Sequence, residues 1–224
     1  MLVTVSFTLL PGAASALSLA ELSNKDAATG LKEALTRGSQ IAVQKLGLEN
    51  GFLGNDKVKI PLPESLQKVE SLMRSFGMGK QADELLLRMN RAAEAAVPEA
   101  KVLLVNAVKQ MSVEDAKGIL SGGNDAATQY FKRTTAEPMN GKFLPIVKKA
   151  MEKVKLADAY NTYAERGAKF GLVKAEDVRI ENYITRKTLD GLFVMIAEEE
   201  KAIRADPVGQ TSNMLKKVFG AIGK

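Results

Sequence analysis

The sequence predicts an all-α protein, an irregular multi-helix bundle with room for one short two-stranded β-ribbon. Three observations predict it. From residue 17 onward, apolar residues recur at spacings of three and four, the period of a helix with one buried face. Cap and stop residues bracket those stretches. No repeat, low-complexity linker or shift in composition divides the chain, so residues 17–224 read as a single helical domain and residues 1–16 as a separate leader.

The first helix is expected from Ser23 or Asp26 to Leu46, with Leu31, Leu35, Ile41, Ala42 and Leu46 near one side and Gly47 as its C-cap. Asn50 to Asn55 is turn-rich. Val58-Lys59-Ile60-Pro61-Leu62-Pro63 alternates and ends in prolines, which suits an edge strand or an extended arm. Val178-Arg179-Ile180 is the stretch that would pair with Val58-Lys59-Ile60. A helix is expected over Glu64–Phe76. Lys80–Val97 is the most regular helix, with Leu85, Leu86, Met89, Ala92, Ala93 and Ala96 on one face. Pro98 suits the first turn before a helix over Glu99–Lys109. Ser112, with Asp115 three residues on, forms a capping-box start for Val113–Leu120.

Asn124 or Asp125 is expected to cap a helix running through Tyr130. Further helices are expected over Ala136–Val154, Leu156–Phe170 and Thr185–Ala205, with Pro138 and Pro145 as potential breaks in the first. Asp206-Pro207 opens a last one reaching Phe219.

Leu2, Val3, Val5, Phe7, Leu9 and Leu10 form an apolar run closed by Pro11-Gly12 and Ala14-Ser15-Ala16. Small residues at those positions predict a secretory signal remnant cleaved after Ala16, and hence a periplasmic or secreted protein, although no Lys or Arg precedes the run. The plainer alternative is a buried N-terminal element. The run is shorter than the roughly 20 residues that span a bilayer.

The chain has no cysteine and no histidine. Thiolate nucleophiles, imidazole bases and the usual zinc sites are thereby excluded. No cofactor is expected, and an enzyme would have to work with carboxylates, Lys, Tyr or hydroxyls. The net charge of +6 favours anionic partners, but the charges are interspersed. Tyr130-Phe131-Lys132-Arg133 is the sole basic-aromatic cluster, too little to favour nucleic acid.

Met89-Asn90-Arg91-Ala92-Ala93-Glu94 is the most specific-looking motif: spacings of three and four let Asn90, Arg91 and Glu94 touch. They read either as polar ligand contacts or as an ordinary ion-paired helix face. Gly122-Gly123 before a helix start is where anions bind, yet an Asx cap explains it as well. Glu198-Glu199-Glu200 with Arg204 reads as a solvated face, or with Asp190 and Asp206 as an oxygen-ligand cation site that lacks the EF-hand pattern; no metal site is assigned. Met214, Leu215, Val218 and Phe219, with Lys216 and Lys217, make residues 207–219 a basic amphipathic segment, able to touch a membrane or to pack on the domain.

Leu46-Gly47, Gly51-Phe52, Ile60-Pro61-Leu62-Pro63, Asn90-Arg91-Ala92-Ala93-Glu94, Gly122-Gly123, Tyr130-Phe131, Leu189-Asp190-Gly191-Leu192-Phe193 and Asp206-Pro207 together resemble the bacterial family known as domain of unknown function 4197. The likeness runs from about Leu31 to Gly220. It implies an exported helical protein and carries no catalytic residue with it. Lys132 and Gln210 depart from it, standing where Arg is usual. If those arginines grip an anion, this chain should grip it less firmly.

The sequence therefore leads to a non-enzymatic binding or envelope-associated protein, with a small anionic or amphipathic molecule or an envelope component as partner. Asn90, Arg91, Glu94, Asp190 and Arg204 are its candidate ligand contacts, with no residue assigned as catalytic. The alternative is a carboxylate-based hydrolase of envelope glycan with Glu94 as the acid. Oligomeric state has no signature in the sequence.

Overall fold

A computed structural model of the chain describes residues 24–64, 67, 74, 79–152, 157–158, 160–161, 165, 169 and 178–205. Helix α1 spans Asn24–Leu46, α2 Gly79–Ala96, α3 Ala100–Gln110, α4 Val113–Ser121, α5 Ala126–Met151 and α6 Ile180–Ala205, with a 3-10 turn at Val97–Glu99 joining α2 to α3. The fold is all-α. Among the described residues no helix is long and apolar enough to cross a membrane. The expected leader, most of the helix over 64–76 and the basic segment 207–219 lie outside the described residues.

Each helix forms around one apolar stripe. In α1, Leu31, Ala34, Leu35, Ala42, Val43 and Leu46 are buried. In α5, Phe131, Thr135, Met139, Phe143 and Val147 recur every four residues and are all buried. Leu85, Met89, Ala92, Ala93 and Ala96 bury the corresponding face of α2. α5 packs on α6, α2 and α3, while α1 packs on α6, α3 and α4. α5 and α6 run antiparallel: Ala127 and Thr128 meet Glu200, and Lys132 meets Phe193. Glycine permits close crossings. A Cβ on Gly38 would lie 3.3 Å from the Ile203 side chain, and one on Gly191 would lie 2.7 Å from the Phe52 ring.

Three expectations need correction. Pro138 and Pro145 do not break α5, which is a single helix from Ala126 to Met151. Both prolines lie on its exposed face, seven residues apart. The carbonyls that lose a partner there, on Thr134 and Gly141, are on exposed residues within reach of water, and Gly141 has no side chain to crowd the Pro145 ring. The ribbon between Val58–Ile60 and Val178–Ile180 does not form: there is no strand among the described residues, and Ile180 is the first residue of α6. The Asn90 carboxamide takes the place of the pairing strand, accepting from the Ile60 N–H at 2.8 Å and donating to the Ile60 carbonyl at 3.0 Å. Asp125 holds the N-cap position of α5 without capping it. Its carboxylate accepts from Gln129 Nε2 instead. By contrast, the Ser112–Asp115 capping box at the start of α4 is complete.

Candidate functional site

Asn90, Arg91 and Glu94 come together on α2, where they grip the loop at residues 49–60 that follows α1. The loop turns at Asn50, whose φ of 66° is left-handed. It then places Gly51 against the last turn of α1, where a Cβ would come within 2.5 Å of the Lys45 carbonyl oxygen. Beyond this turn the consecutive amides of Phe52 and Leu53 both donate to Glu94 Oε1, at 3.0 and 3.2 Å. Two adjacent N–H groups converging on one oxygen make an anion cradle, and this one holds a carboxylate of the chain itself.

Arg91 closes the arrangement. Its Nη1 donates to Glu94 Oε2 at 2.5 Å, and its Nη2 reaches Glu49 Oε1 and Asn50 Oδ1, both at 3.0 Å. Asn90, fully buried, adds a bond to the Leu86 carbonyl at 2.8 Å. Phe52, Val58, Ile60 and Leu62 are thereby held in the core, while Lys57, Lys59 and Pro61 face solvent. Tyr183 of α6 donates to the Pro61 carbonyl at 3.1 Å and fixes the far end of this extended arm.

Arg204 belongs to a second constellation. Glu200 is buried, and its two oxygens accept from the N–H groups of Ala127 and Thr128 at 3.0 and 2.9 Å and from the Thr128 hydroxyl at 2.9 Å. It therefore caps α5 from another helix, where a negative charge meets the free amides and the positive end of the helix dipole. Arg204 pairs with Glu200 Oε1 at 3.0 Å and donates to the Ile119 carbonyl near the end of α4 at 2.8 Å. The three consecutive glutamates point to three different elements. Glu198 pairs with Lys57 of the arm, Glu199 with Lys45 of α1, and Glu200 with the start of α5.

Asp190 stands apart from both groups, exposed on α6. Fourteen residues separate it from Arg204, about 21 Å along the helix at 1.5 Å per residue. The five candidate residues thus divide into a loop clamp, a helix-end clamp and one surface carboxylate. No cluster of three or more His, Cys, Asp or Glu able to hold a metal occurs among the described residues.

The Tyr130-Phe131 rings face the core. Phe131 is fully buried, and the Tyr130 hydroxyl donates to the Ala107 carbonyl at 2.8 Å. Burial raises the Tyr130 phenol above its ordinary pKa. Lys132 holds its ammonium 5.8 Å from the centre of the Phe193 ring, and Gln210 lies outside the described residues.

Local spacing put Arg91 beside Glu94 and Arg204 beside Glu200, although Glu200 is buried rather than on the solvated face expected of it. Sequence reasoning missed that their main partners are backbone amides, which leave no trace in residue identity. It also missed Asn161, which accepts from the Ile180 N–H at 2.8 Å and donates to the buried Glu181.

One surface recess of about 540 Å³ opens beside the arm, lined by Asp56, Lys59, Pro61, Leu62, Gln67 and Leu86.

These features define an all-helical protein whose buried polar side chains serve mainly to join its segments. The chain belongs to the DUF4197 family, proteins of unknown function, whose profile matches residues 21–220. No curated protein and no solved structure matches it.

Proposed function

We propose that this chain is an exported, non-enzymatic binding or envelope-associated protein that takes a small amphipathic or anionic ligand. The observation that carries the reading is the state of the buried polar groups. Asn90, Glu94, Asn161, Glu181 and Glu200 are the buried carboxylates and carboxamides among the described residues, and each is hydrogen-bonded within the protein. A general acid or base needs an oxygen that faces substrate. Both oxygens of Glu94 face donors of the chain itself, which favours binding over glycan hydrolysis. The apolar run closed by Ala14-Ser15-Ala16 supports export, and the net charge of +6 supports an anionic or amphipathic partner.

Expression behind a complete signal peptide, recovery from the periplasm and native mass spectrometry test this reading. Retention in the periplasmic fraction together with extra mass lost on denaturation supports it. A chain that stays in the cytosol, or that is periplasmic but carries no extra mass, overturns the exported binding protein.

A further inference from the structure

We propose that the recess beside the arm is a binding site for a small zwitterion with an apolar body. The proposal deepens the binding reading above and rests on it.

The wall of the recess is held by side chains from outside it as well as by one of its own. Asn90 holds both backbone groups of Ile60, Tyr183 holds the Pro61 carbonyl, and Gln67 donates to the Leu62 carbonyl at 2.7 Å. Behind them Glu94 fixes Phe52 and Leu53, and Lys57 is tied to Glu198. A buried carboxylate and a buried carboxamide carry a desolvation cost, here borne in holding one exposed arm. A wall already in its bound shape lowers the ordering cost of binding.

The chemistry of the lining selects the ligand. Pro61 and Leu86 present apolar surface beside one edge of the buried Leu62, and a volume of about 540 Å³ falls within the range of small-molecule sites. Asp56 and Lys59 are exposed, carry opposite charges and form no ion pair among the described residues. An ion of either sign alone would meet one attracting and one repelling group. A molecule carrying both charges, with an apolar part for Pro61 and Leu86, meets complementary groups at both ends.

A zwitterion of this kind is either a free apolar peptide or the headgroup end of a phosphoethanolamine lipid. Titration calorimetry with the dipeptide leucyl-phenylalanine and with monomeric lysophosphatidylethanolamine separates the two sources. Binding of one or both probes to the full chain, weakened about tenfold by Asp56→Asn and by Lys59→Gln, supports the site; about tenfold corresponds to the loss of one modest polar contact. Both substitutions are on exposed residues, and an unchanged far-ultraviolet spectrum checks that the variants fold. Binding of neither probe, or binding that both variants leave unchanged, overturns the site. If periplasmic protein of both variants keeps its extra mass in native spectra, the ligand sits elsewhere, and the site falls while the binding reading stands. Probe binding by a protein that emerges empty from the periplasm does the opposite.

Discussion

Glu200→Ala tests the proposition that one side chain of α6 holds the start of α5 in place. The substitution leaves the Ala127 and Thr128 amides and the Thr128 hydroxyl without their acceptor, and leaves Arg204 without its counter-charge. The Glu200 and Arg204 side chains are only 4% and 12% exposed, so water reaches little of what is left behind. Removing one partner of a buried ion pair costs about 3–5 kcal/mol, and the orphaned amides are part of that loss. A chain of this size loses about 2–4 °C in Tm for each kcal/mol, so Glu200→Ala should lower Tm by about 6–20 °C. Glu199→Ala is the internal comparison. It also removes an ion pair, but Lys45 is 57% exposed, and such pairs contribute about 0–1 kcal/mol. Urea unfolding followed by circular dichroism measures both. If the two variants fall within about 1 kcal/mol of each other, the start of α5 is not held by Glu200. Arg204→Met, alone and combined with Glu200→Ala, completes a cycle that isolates the pair from the amide contacts.

Asn90→Ala should cost about 2–4 kcal/mol, because it orphans the buried Ile60 N–H and carbonyl together; denaturant midpoints check it. Gly191→Ala should destabilise by about 1–3 kcal/mol, since its methyl group would sit 2.7 Å from Phe52. Gly118→Ala, in an exposed helical position with nothing within 4 Å, should stabilise by about 0.5–1 kcal/mol. Opposite signs in thermal melts are the test of that pair. Hydrogen bonds from Ser112 lower the pKa of Asp115, and a hydrogen bond from Lys57 lowers that of Glu198. Each is depressed in the folded state, so its contribution is complete above the unfolded value and fades as pH falls through the folded one. Stability should therefore decline below about pH 4, and Ser112→Ala should flatten the part of that decline due to Asp115 when unfolding is followed from pH 6 to pH 2.

The helices were legible wherever their signals are local. Gly47 and the Ser112–Asp115 box marked ends that the structure keeps, because a cap and its amide lie within four residues. The cap of α5 was not legible: Glu200 lies more than seventy residues from the amides it binds, and the nearer Asp125 offered an easier answer. The prolines of α5 misled for a related reason. Their effect depends on which face they occupy, and that follows from the stripe through Phe131 and Phe143 rather than from the prolines themselves. At the candidate site, the spacing of Asn90, Arg91 and Glu94 showed that the three side chains meet. It could not show that they meet a loop, because the atoms they bind are peptide groups common to every residue.

The loop clamp has a consequence for how the protein opens. Amides in a surface loop ordinarily exchange with solvent within the time a loop takes to fluctuate. Those of Phe52, Leu53 and Ile60 are bonded to side chains on α2, and lifting them away would draw Phe52 and Ile60 out of the interior. The segment from Gly51 to Ile60 should therefore exchange deuterium in step with α2. In a protease digest it should behave as part of the helical scaffold, its backbone inaccessible until α2 itself comes away.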